Sequence, residues 1–78
     1  MIVDDIVYVI GRGNIVVTQK EKNNPVHIND KIKISDNIFE ITGIEHSEYM
    51  KMMGLILRPN PLVKEAVKIE DKIIVLHG

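Results

Sequence analysis

Seventy-eight residues make one domain, close to the lower limit for a self-standing hydrophobic core. The chain has no cysteine, which excludes a disulfide framework, a thiol nucleophile and cysteine-ligated zinc, and fits a cytoplasmic setting. Ten Lys and Arg against eleven Asp and Glu leave a formal charge of −1, without the basic excess of a protein that lives by non-specific phosphate binding. The opening Met1-Ile2-Val3-Asp4-Asp5 is acidic where a secretory signal would be basic, and every apolar run is far too short to span a membrane. Hydrophobic residues are 45% of the chain, with no Trp and one Phe, so Ile and Val must carry the packing.

Period-two alternation dominates, and no helical period is sustained. Residues 2–10 predict a long strand, apolar on both faces toward its end, as in a central or barrel-closing strand. Gly11-Arg12-Gly13-Asn14 follows as a turn: two glycines permit φ > 0, and Asn14 tolerates left-handed geometry. The next strand covers 14–19. Lys20 to Pro25 is an exposed loop by composition. Ile32 and Ile34 then alternate with Lys31 and Lys33 as a half-buried strand. Ser35-Asp36-Asn37 predicts a tight turn before a strand over 38–46. In that strand Phe39 and Ile41 share a face while Ile44 has the opposite parity, so a bulge or bend at Gly43 is needed to reset the phase. Residues 47–52 have the composition for one helical turn. Strands over 53–58 and 73–77 complete the set, with Pro59 and Pro61 bounding a loop between them.

One internal echo organises the chain. Val26-His27-Ile28-Asn29-Asp30-Lys31-Ile32 is matched by Val67-Lys68-Ile69-Glu70-Asp71-Lys72-Ile73. Each reads as an extended approach, an x-Asp-Lys corner and a strand, as if one corner were used twice in a closed sheet. Six or seven short strands and no long helix predict an all-β fold, a small closed antiparallel β-barrel.

The stretch Ile10-Gly11-Arg12-Gly13-Asn14-Ile15-Val16-Val17-Thr18 resembles the G-R-G-x-V-x-T signature of domain 2 of translational GTPases, the elongation factor Tu type. Later pieces follow in that family's order. The two x-Asp-Lys corners resemble its pair of Gly-Asp corners. Ile41-Thr42-Gly43-Ile44-Glu45 resembles its T-G-I-E strand, and Met53-Gly54-Leu55-Ile56-Leu57-Arg58 its V-G-L-L-L-R strand. The resemblance covers nearly the whole chain and implies a domain-2 barrel standing without a GTPase domain. There are departures. Asn29 and Glu70 stand where the family has glycine, Gln19 follows Thr18 where it has glycine, and the connection from Glu45 to Met53 is shorter and lacks its Gly-Asp.

The resemblance implies a docking surface rather than a catalyst. Asp4 and Asp5 match in position an acidic pair that helps hold the aminoacyl end of tRNA, although Val7 falls where the accompanying aromatic would be. The Arg12 turn corresponds to the side on which that barrel approaches ribosomal RNA. From the residues themselves, Arg12 on a rigid turn is a suitable phosphate contact, and equally an arginine simply exposed at a hairpin tip. Lys31 and Lys33 share a strand face and, with Lys20 and Lys22 of the preceding loop, form a candidate basic patch; as the wet face of a strand and a loop they need no partner. Asp4 and Asp5 equally serve to blunt a sheet edge with charge. A nucleotide-cradling reading of Gly11–Asn14 fails because a strand, not a helix, follows.

No catalytic, metal or cofactor site is expected. His27, His46 and His77 lack metal-ligand spacing, and Glu45 and His46, adjacent on a strand, point to opposite faces. Tyr49 to Met53 offers either an adaptable contact surface or core filling. The leading expectation is a non-enzymatic binding module that contacts a protein or ribonucleoprotein partner through Gly11, Arg12, Gly13 and Asn14. Direct recognition of tRNA or rRNA through Arg12 and the lysines is one alternative. Self-association of a small barrel into a homodimer is the other.

Overall fold

Alternation resolves into six strands: β1 (Asp5–Val9), β2 (Gly13–Gln19), β3 (Lys31–Ile34), β4 (Asn37–Ser47), β5 (Met52–Leu57) and β6 (Ile73–Leu76), with a helix α1 (Leu62–Ala66) between β5 and β6. The structure, a computed structural model, describes residues 1–47 and 51–76. The strands lie in the order β1-β2-β5-β4-β3-β6, and every neighbouring pair is antiparallel. This is an all-β architecture with one short helix. Among the described residues no helix is long and apolar enough to cross a membrane.

One face of the sheet carries the core. Ile32 and Ile34 of β3 are fully buried while Lys31 is exposed, as the alternation requires. Val16 of β2, Leu55 and Leu57 of β5, and Phe39 and Ile41 of β4 meet them, and Ile73 of β6 adds to the same cluster. Burying each such aliphatic side chain stabilises the fold by about 1.5–3 kcal/mol relative to leaving it in water. The expected bulge lies on β4. Ile41 faces Leu57, but Gly43 faces Ile56, so Thr42 is the extra residue and its hydroxyl donates to the Ile56 carbonyl (3.3 Å). Beyond it Ile44 packs against the core although its parity differs from that of Ile41.

The repeated corners are alike in three dimensions. In the first, the Asp30 carboxylate accepts the His27 amide (2.9 Å) and the Asp30 amide donates back to the His27 carbonyl (3.1 Å). In the second, Asp71 and Lys68 make the same two bonds (2.8 and 3.1 Å). Asn29 and Glu70 both adopt φ 77°. Each corner then clasps a buried extended residue. The Asn29 amide donates to Ile41 and the Ile41 amide to Asp30 (2.8 and 2.9 Å), while the Glu70 amide donates to Val3 and the Val3 amide to Asp71 (2.7 and 2.9 Å).

Several expectations need correction. The sheet is not closed into a barrel. Among the described residues β1 and β6 share no ladder; the segment before β1 reaches the start of β6 through an isolated Ile2–Lys72 bridge and the Ile73 amide donating to the Met1 carbonyl (2.7 Å). The strand expected over 2–10 begins at Asp5 and is an edge, not a central strand: Val7, Tyr8 and Val9 are 40%, 60% and 36% exposed. A run apolar on both faces reads alike whether a second neighbour or solvent lies beside it. The loop after Pro59 contains α1, whose Val63 enters the core together with Val67 just after it. Of the helical turn expected at 47–52, Ser47 ends β4 and Met52 begins β5. Residues 48–50, and with them part of the contact surface considered at 49–53, lie outside the described residues, as does His77.

Candidate functional site

The β1–β2 hairpin is built by its two glycines. The Arg12 amide donates to the Val9 carbonyl (3.0 Å), closing a four-residue turn with Gly11 at its third position. Gly11 has φ 88°, whereas Ile10 is not left-handed, which is the pattern of a type II turn. Gly13, also at φ 89°, then returns the chain to β2. Ile10 is left at the apex, 91% exposed.

Arg12 does not hang free from this tip. Its guanidinium pairs with the Glu45 carboxylate on β4, tying the hairpin to a strand two places away in the sheet. On the face this pair crosses, the Ile15 side chain packs closely over Gly54: a Cβ there would come within 2.8 Å of Ile15 Cγ2. Both members of the ion pair are about half exposed, so it contributes a few tenths of a kcal/mol and mainly orients the tip.

On the other face, Tyr8 and Asn14 are direct cross-strand partners at the open end of the sheet. Beside them runs the loop that leads into α1. Asn60 shapes this loop by accepting the Leu62 amide on its side-chain oxygen (3.0 Å) and the Val63 amide on its carbonyl (3.1 Å). Between hairpin and loop opens a cleft of about 420 Å³, lined by Tyr8, Arg12, Asn14, Pro59, Asn60 and Pro61 with the glycine backbones. Lys64 on α1 stands over the Tyr8 ring, its Nζ 5.3 Å from the centroid. That is within reach of a cation–π attraction.

The other sequence candidates are dispersed. The Asp4 amide donates to the Val17 carbonyl (2.8 Å), and Asp4 lines a separate groove of about 710 Å³ with Thr18, Glu21, Glu70 and Lys72. Asp5 spends one carboxylate oxygen on the Ile6 amide (2.8 Å). Lys31 and Lys33 do share the outward face of β3, opposite Glu40 and Ile38. Lys31 borders a groove with Phe39 and Arg58, whereas Lys20 borders another with His46 and Met53, and Lys22 is exposed in its loop. Among the described residues no group of three His, Asp or Glu could hold a metal ion.

The sequence reading missed Tyr8, Ile10, Asn60 and Lys64. Once the two glycines fix the hairpin register, Tyr8 falls opposite Asn14, and that signal was available. The approach of the Pro59–Pro61 loop was not, since it depends on where α1 packs. Comparison of the chain with protein-family models, with curated proteins and with solved structures found no match.

Proposed function

We propose that this protein is a non-catalytic docking module of the translation-factor domain 2 type, which contacts a protein or ribonucleoprotein partner through the Gly11–Asn14 hairpin tip. The observation that carries this reading is Ile10, 91% exposed at the apex of a type II turn that is closed by a backbone hydrogen bond and oriented by the Arg12–Glu45 pair. An isoleucine in full contact with water contributes nothing to folding, whereas on a preorganised turn it is an anchor that costs little entropy to dock. The pairing of Arg12 with Glu45 favours a protein surface over bare RNA, because a phosphate would have to displace a carboxylate from the guanidinium. A second reading, self-association, is supported by the exposed edge strand β1, and would make the melting temperature rise with protein concentration.

The test is a photo-crosslinking amino acid placed at Ile10 in living cells. Docking to a protein predicts one discrete protein adduct. An adduct that disappears on RNase treatment would assign the tip to RNA, one at twice the chain mass to self-association, and no adduct would contradict the proposal.

A further inference from the structure

Asn14 is the anomaly of the hairpin. It is nine-tenths buried, on the inward face of β2 that also carries Val16 and Thr18. Thr18 uses its hydroxyl, donating to the Ile2 carbonyl (2.7 Å). Among the described residues the Asn14 carboxamide makes no hydrogen bond. Yet no fully buried side-chain nitrogen or oxygen lacks a partner among the described residues. Both statements hold only if the carboxamide reaches solvent, and the opening that Asn14 lines is the cleft between the hairpin and the Pro59–Pro61 loop. A carboxamide open to the cleft adds no internal hydrogen bond to the fold, and an inward strand position beside the core suits Val or Thr better.

We propose that the Asn14 carboxamide is a binding group: it pairs through its N–H and C=O with the C=O and N–H of one residue in an extended peptide segment of the partner, lying between the hairpin tip and the Pro59–Pro61 loop. The side-chain amide of Asn presents one donor and one acceptor side by side, the complement of a peptide N–H and C=O. The walls suit such a segment. The Tyr8 ring and two proline rings supply apolar contact with little freedom to lose, and Tyr8 adds a hydroxyl at the rim. Lys64, above the Tyr8 ring, places positive charge beside the cleft and favours an acidic side chain next to the paired amide. A nucleobase could also use a carboxamide, with stacking on Tyr8; the exposed Ile10 next to the cleft matches a protein surface better.

This inference rests on the docking role proposed for the hairpin tip, and two measurements separate them. The first needs no partner. Asn14→Val is expected to fold with an unchanged or higher melting temperature, because no internal hydrogen bond is lost; a clear fall would show that Asn14 is structural and would overturn the proposal. The second is an NMR titration of the labelled full chain with N-acetylglycine N′-methylamide, a bare backbone amide pair, at millimolar concentration, and in parallel with adenosine. The expected result is that the Asn14 side-chain NH2 signals and the Tyr8 and Asn60 amides shift with the peptide probe, and that these shifts vanish in Asn14→Val. Signals that stay in place, or that move with adenosine alone, would refute it. If the Ile10 crosslink forms and survives Asn14→Val, docking at the tip stands and the role of Asn14 falls. If the Asn14 signals move but Ile10 captures no protein, the reverse holds.

Discussion

The two x-Asp-Lys corners and the β1–β2 hairpin tip all reverse the chain with left-handed residues, but they differ in what they leave over. In the corners nearly every polar group is consumed. The aspartate side chain caps a backbone amide, the following turn is closed by a backbone bond, and the corner residue clasps Ile41 or Val3. At the tip, the turn is closed by one backbone bond, the Ile10 side chain and the Asn14 carboxamide make no hydrogen bond or core contact among the described residues, and the half-exposed Tyr8 ring meets the Lys64 ammonium. Each corner also exposes an isoleucine, Ile28 at 55% and Ile69 at 60%, so apolar exposure alone does not mark a site. What distinguishes the tip is the conjunction of an exposed anchor, an aromatic ring and a spare amide around one cleft.

Substitutions can break this contrast in order of size. Asp30→Ala removes a carboxylate that is nine-tenths buried and accepts a backbone amide; it should cost about 2 kcal/mol, read from the urea midpoint. Asp71→Ala removes the same bond at a wetter corner and should cost about 1 kcal/mol. Equal losses at the two corners would show that burial is not what separates them. Glu70→Gly should stabilise by roughly 0.5–1 kcal/mol, since φ 77° strains a residue with a long side chain by about 1–2 kcal/mol and glycine gives part of that back as unfolded-state entropy. Asn29→Gly at the same φ should change stability by less than about 0.5 kcal/mol, because Asn is at home in left-handed geometry. At the tip, Arg12→Ala should cost no more than about 0.5 kcal/mol, as expected for a half-exposed ion pair. A loss the size of that at Asp30 would make the tip a structural element after all.

Much of this contrast was legible before the structure. The alternation at 31–34, the parity break at Gly43 and the repeat of Val26–Ile32 in Val67–Ile73 each correspond to an observed strand, bulge or corner, because they are local patterns with one physical solution. The residue before Asp in each repeated corner, Asn29 and Glu70, is left-handed, the same geometry at matching places of the echo. Three features were hidden for reasons of range. The exposure of β1 depends on whether a neighbour lies along its free edge, which no run of Ile and Val encodes. Helix α1 is five residues long, less than two turns, so no period can reveal it; Pro61 at its start was the one available sign. The pairing of Arg12 with Glu45 joins residues far apart in sequence, and it changes the meaning of an arginine that alone reads as a phosphate contact.

The most direct test of the contrast places the same photo-crosslinking residue, in separate proteins, at Ile10, Ile28 and Ile69 and compares the products in cells. All three side chains are exposed, and only their surroundings differ. A discrete protein adduct from position 10, with none from 28 or 69, is the predicted result. Equal capture at all three positions, or capture from a corner and not from the tip, would contradict the account.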